Sequence, residues 1–321
     1  MKLQKKFCNT ILRPWLCFTC ILTGFALTAQ VNKPSGSKTQ ATLADEQLLS
    51  IVKKHEALLG QYAEDPAKFE KRELSARVQS IVTAYTAFNN DNPADVFGFV
   101  LHGKFLREIG HYEDAYKLFI KAHELDPNIA IVKQQIGNYL AENGRYKEAY
   151  PYFVSAVRLD PRKAVYQYQL GAHLIYFGKQ LQAGKMISAE EFDRQLSTSL
   201  AAAVRLAPEN RTYKKLHAES FYDLNKPNWN EALNAWTKLL GEEASETETQ
   251  AIQLHRAKVL YHLDRNQEAN ELLAIVKHPS LAASKNQLVS MMNRGVKETP
   301  SPRESIPAPS RPIATTNAPS E

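Results

Sequence analysis

The chain has 321 residues, of which 44% are hydrophobic, 9% aromatic and 23% charged, the composition of a folded protein rather than a disordered or fibrous one. One apolar run, inside the first 29 residues, could meet a membrane, which excludes a polytopic membrane protein. The net charge of +6 owes four of its cations to the leader (Lys2, Lys5, Lys6 and Arg13), and the remaining 36 basic against 34 acidic residues make no case for a nucleic-acid partner, which needs clustered Lys and Arg.

Residues 1–29 read as a signal peptide. A basic stretch ends at Arg13, an apolar run extends from Trp15 to Ala29, and the small residues Ala26, Thr28 and Ala29 close it before Gln30. That run of 15 residues is shorter than the roughly 20 that span a bilayer. Cleavage would leave Leu27, a large residue, three places before the cut, so an uncleaved N-terminal anchor is the alternative. Cys8, Cys17 and Cys20 all lie in the leader, so a cleaved chain has no disulfide, no cysteine-ligated zinc and no cysteine nucleophile. The expected location is the periplasm or outer envelope of a bacterium. Residues 30–42, rich in Ser, Thr, Lys and Gln, read as a flexible linker.

The first helix is predicted over 43–62, on the spacing of Leu48, Leu49, Val52, Leu58 and Leu59. A second should carry Ala84, Tyr85 and Phe88 before Pro93. A repeat then begins, with Pro93, Pro127 and Pro161 spaced 34 residues apart. Gly103 aligns with Gly137, the run from Gly110 to Tyr116 with that from Gly144 to Tyr150, Phe119 with Phe153, and Ala122 with Ala156. Leu125-Asp126-Pro127 aligns with Leu159-Asp160-Pro161. The spacing fits two helices and a tight turn per unit. Gly103 and Ala115 permit a close helix crossing, Phe119 fills the space beside it, Gly110 supplies the turn, and each proline opens the next unit.

The pattern resembles the tetratricopeptide repeat family. The resemblance implies an all-α fold, a right-handed superhelical solenoid of antiparallel helix pairs. Units are expected at about 96–129, 130–163, 164–210, 211–249 and 250–283, within a solenoid spanning 43–295. The third carries Gly171, Gly178 and Ala203, with about 13 extra residues expected between its helices around 179–187. Ser188-Ala189-Glu190-Glu191 reads as the capping box of its second helix. The fourth carries Ala218, Phe221, Ala232 and Trp236, with two extra residues in the Asn225–Asn228 turn, and the fifth Ala257, Leu260, Ala269 and Leu273. A capping helix should run from Ser280 to Asn293. Six prolines mark 296–321 as a disordered tail.

No catalytic constellation emerges. The nine histidines are scattered, and His255 and His262, seven apart, lack the carboxylate of a zinc motif, so they read as helix-surface residues. No glycine-rich phosphate loop and no nucleophile elbow is present. The expectation is therefore no enzyme, no metal and no cofactor. The tyrosines at 112, 116, 146, 150 and 152 read as packing between helices.

In the family, the inner face of the solenoid comes from the first helix of each unit. That assigns Phe97, Val100, Lys104 and Arg107, then Ile131, Gln134 and Asn138, then Val165, Tyr168 and Tyr176, then Lys215 and Tyr222 to a partner-binding groove. The resemblance thus implies a non-catalytic scaffold that holds a peptide or partner protein, with an acidic or C-terminal segment favoured by the lysines. The alternatives are an accessory component of an envelope enzyme or carbohydrate-handling system, and a structural spacer.

Overall fold

The computed structural model describes residues 42–241 and 245–297; the leader, nearly all of the expected linker and the tail from 298 lie outside the described residues. Thirteen α-helices and no strand are found among the described residues. They are α1 (Leu43–Glu64), α2 (Lys71–Asp91), α3 (Val96–Glu108), α4 (Tyr112–Leu125), α5 (Ala130–Glu142), α6 (Tyr146–Leu159) and α7 (Ala164–Ala183). There follow α8 (Ala189–Leu206), α9 (Arg211–Ser220), α10 (Trp229–Thr237), α11 (Glu246–His262), α12 (Asn266–Ile275) and α13 (Ala282–Arg294). None is long and apolar enough to cross a membrane.

Val96, Ala130, Ala164 and Arg211 each open a helix. The first helix of the fifth unit begins earlier than expected, because Ser245 caps α11 by accepting from the Glu248 amide at 3.2 Å. The last helix begins later, at Ala282, because Pro279–Leu281 forms a 3-10 turn before it.

Left-handed residues close the hairpins. Gly110 (φ 86°) and Gly144 (φ 73°) follow α3 and α5, and the next amides, His111 and Arg145, reach back to Leu106 and Leu140 at 2.8 and 2.9 Å. Two later hairpins place other residues in this conformation: Lys185 (φ 57°) after α7 and Asp264 (φ 61°) after α11.

The chain divides within α5 into two compact units, residues 42–139 and 140–297 of those described. In the first, α1 packs on α2 and α3, α2 on α3, and α3 on α4. Leu48, Ile51, Leu58, Leu74, Ile81, Tyr85, Phe88 and Phe105 form a core there. Gly103 meets Phe119 as its spacing requires: a Cβ on Gly103 would stand 2.9 Å from the ring.

In the second unit each helix from α6 to α11 packs on the next, α7 also touches α9, and α11 touches α13. Gly171 lies against Leu200 and Gly178 against Phe192, each too closely for a side chain. The long third hairpin corrects one expectation. Its extra residues lengthen both helices rather than forming a loop between them, since α7 has 20 residues and α8 has 18, against 13 and 14 in the preceding hairpin. Leu181, Ile187 and Phe192 are buried, and together with Gly178 they give this extension an apolar interior that keeps it helical.

Ser188 caps α8 by accepting from the Glu191 amide at 3.1 Å. The reciprocal half of the expected capping box is absent, because the Glu191 carboxylate is held by Arg194 and Gln195 instead. Ser188→Ala should therefore cost about 1 kcal/mol, read as a lower denaturation midpoint. One turn further, Asp193 clasps the 225–228 turn. Its carboxylate accepts from the amides of Asn225 and Lys226 at 2.8 and 2.9 Å and from the Asn225 side chain at 2.9 Å.

Candidate protein-binding faces

In the first unit, Phe97 is half exposed (49%), and Lys104, Arg107, Ile131 and Asn138 are partly exposed. The Arg107 guanidinium lies 5.6 Å from the centre of the Tyr112 ring, so its apolar face is covered and its charge is held in place. Two expected groove residues are corrected. Val100 and Gln134 are buried, at 5% and 4% exposure, and neither is open to a ligand. Val100 follows Phe99 into the apolar interior, and the Gln134 side-chain oxygen accepts from Gln135 at 3.0 Å.

In the second unit, Val165 and Tyr168 are partly exposed on α7, and Tyr168 stacks on Tyr213 of α9, with centroids 4.5 Å apart and planes 22° from parallel. Tyr176 is exposed at 45%. Lys215 is exposed on α9 and borders a concavity of about 110 Å³, together with Glu219 of the same helix, Glu248, Ala251 and His255 of α11, and Trp236. Arg211 pairs with Glu248 at 2.9 Å, which neutralises one of the acids beside Lys215. Tyr222 turns inward, its hydroxyl 3.3 Å from His255 Nδ1 and its ring 4.8 Å from the Lys258 ammonium. Burial holds its phenol well above the ordinary range.

The histidines depart most from the sequence reading. His55, His102 and His173 are buried, at 6%, 5% and 4% exposure. His55 joins three helices: Nδ1 lies 3.1 Å from the Tyr85 hydroxyl of α2, and Nε2 lies 2.7 Å from Glu108 of α3. Tyr85 is fully buried, so this chain of polar contacts has no room for a substrate. Burial lowers the pKa of His102 and of His173 to about 4, which keeps both neutral. His255 and His262 are not loose on a helix surface either. Each stacks on a tryptophan of α10 with centroids 4.0 Å apart, His255 on Trp236 and His262 on Trp229. The signal was present in the sequence: both pairs are seven residues apart, so two turns of one helix match two turns of the next.

The tyrosines behave as packing residues where rings meet. Tyr116 stacks on Tyr139 at 4.1 Å, and Tyr146 on Phe177 at 5.1 Å. In both cases the second helix of one hairpin meets the first helix of the next, the contact that holds repeats together.

Comparison with known proteins agrees with this architecture. The family described as "Tetratricopeptide repeat" matches residues 131–163, which begin one residue inside the second expected unit. That match covers one repeat unit of the chain. Among solved structures, the chain is similar to YrrB, a TPR protein with an unusual peptide-binding site. The TM-score is 0.52 at 18% identity, over 67% of this chain and 100% of that one. It is also similar to the Naa15/Naa10 complex bound to HypK-THB, with a TM-score of 0.51 at 16% identity, over 79% of this chain and 34% of the matched one. At these identities the likeness is one of fold. No curated protein matches the chain.

Proposed function

We propose that the protein is a non-catalytic scaffold that holds an extended peptide or a partner protein against the first-helix faces of its hairpins. The observation that carries this reading is the concavity between α9 and α11. It has the size of one side chain, an aromatic wall in Trp236 and an exposed cation in Lys215. The Tyr168–Tyr213 stack, on the adjoining α7 and α9, offers a flat aromatic surface as well. With Glu248 spent on Arg211, Lys215 favours an acidic ligand, and binding should weaken as salt rises. The peptide-binding site of YrrB supports the same class of partner.

The test begins with a partner identified by crosslinking. Ala251→Leu then fills the concavity, and Lys215→Glu reverses its charge. Each should weaken binding at least tenfold, measured by titration calorimetry, with helicity unchanged. Equal affinity in both variants would place the partner elsewhere.

We propose further that the protein works in a bacterial cell envelope. The basic start, the 15-residue apolar run and the small residues before Gln30 support export. Mass spectrometry of the protein from its host should find a chain beginning near Gln30. A cytosolic chain beginning at Met1 would end that proposal.

A further inference from the structure

The extension of the third hairpin carries the chain beyond the length of the preceding hairpin. A first helix of ordinary length, 13 residues as in α3 and α5, would end at Tyr176. Residues 177–188 carry the chain outward and back, around the apolar interior already described. What they display outward is of one kind. Lys179 and Lys185 are exposed, and so is Lys147 of α6, whose Cε comes within 3.6 Å of where a side chain on Gly184 would begin. None of the three makes an ion pair among the described residues. Met186 is exposed next to Lys185, at 43%. Of the acids that follow on α8, Glu191 is held by Arg194 and Gln195 and Asp193 by the 225–226 turn, which leaves Glu190 against three lysines.

Lys185 supplies a second, independent observation. It is held in the left-handed conformation at φ 57°, at a position where the α3 and α5 hairpins use glycine. A lysine there is strained, and backbone strain of this kind clusters at functional positions. We propose that the tip of this extension, Lys179, Lys185 and Met186 with Lys147 beside it, is a second docking surface, outside the groove. Its occupant is a partner protein presenting acidic side chains around an apolar one. Insertions in repeat proteins gather on one face and often serve binding. An anionic bilayer fits the tip less well, because three lysines and one half-exposed apolar side chain are fewer signals than stable membrane attachment needs. This inference does not rest on the groove reading.

The test places a photo-crosslinking residue at position 180, exposed on the outward side of α7, in the full chain in the cells that make it. The crosslinked peptide is then sequenced. A protein segment containing both acidic and apolar residues is expected, and Lys147→Glu, Lys179→Glu and Lys185→Glu together should reduce its yield at least tenfold. A lipid adduct, a segment without acids, or no adduct would overturn the proposal. Lys185→Gly separates function from folding. It should raise the melting temperature by relieving the strained turn, yet lower the crosslink yield severalfold. A yield equal to that of the parent protein would remove Lys185 from the surface and overturn the proposal as stated. Lys215→Glu should leave the crosslink intact, and its loss in that variant would show that the tip and the groove form a single site.

Discussion

Lowering the pH from 7 to 4.5 should destabilise the folded protein well before its carboxylates titrate. His102, His173 and His262 have folded-state pKa values of about 4, against 6.5 when unfolded. For all three the main cause is burial, to which Lys258 and Lys297 add at His262. The sign follows from proton uptake. Above pH 6.5 both states are neutral at these sites and stability is unaffected. Between 6.5 and 4 the unfolded chain takes up protons that the folded chain refuses, so stability falls with pH across that window. Below it the loss is complete. For His173 it reaches about 2 to 3 kcal/mol at pH 4.5, at roughly 1.4 kcal/mol per pKa unit. Glu148, Glu191 and Glu268 have lowered pKa values from their arginine partners, and they add losses only below the ordinary glutamate range.

Urea melts of the parent and of His173→Phe at pH 7.5 and 4.5 check this. The variant loses the 3.1 Å contact to the Tyr146 carbonyl and should be about 1 kcal/mol weaker at pH 7.5. That deficit should vanish or reverse at pH 4.5. Parallel pH profiles would show that His173 is protonated in the folded state.

The second large effect contrasts two glycines in helices. Gly178→Ala should cost about 2 kcal/mol, although alanine is the better helix former by about 1 kcal/mol. A Cβ at Gly178 would overlap the Phe192 ring, lying 2.7 Å from Cδ2 and closer still to Cε2. Phe192 is 2% exposed and walled in by the extension, so it has little freedom to withdraw. Gly60→Ala, in α1, meets nothing within 4 Å and should stabilise by up to about 1 kcal/mol. Adding Phe192→Leu to Gly178→Ala should restore part of the loss, so the two changes should not add. A fully additive pair would show that the crossing relaxes by another route.

These residues also show what the sequence makes legible. The 34-residue spacing is legible because glycine, alanine and phenylalanine at fixed offsets are the local condition for a close hairpin crossing. Gly103 against Phe119 realises that condition. The exposure of single groove positions was less legible. Val100 and Gln134 occupy inner-face positions by count, yet burial depends on how neighbouring helices approach, which one helix's periodicity does not specify. The histidines misled for a related reason. An imidazole stacked on tryptophan and one in water look alike until the facing helix is known. The extra length of the third hairpin was located but misassigned at its start, because Leu174, Gly178 and Leu181 continue the buried face of α7 past the expected turn.

The Asp193 clasp bears on how the second unit comes apart. Solenoids unzip from their ends, hairpin by hairpin, where the interface between neighbours is weakest. The α9–α10 hairpin is the natural place for such a break, since its helices have only 10 and 9 residues. Three hydrogen bonds accepted by one carboxylate on α8 tie its turn to the hairpin before it. Amide hydrogen exchange should therefore report α8, α9 and α10 opening as one cooperative block, with α12 and α13 exchanging sooner. Asp193→Ala should split that block, so that α9 and α10 lose protection while α8 keeps it.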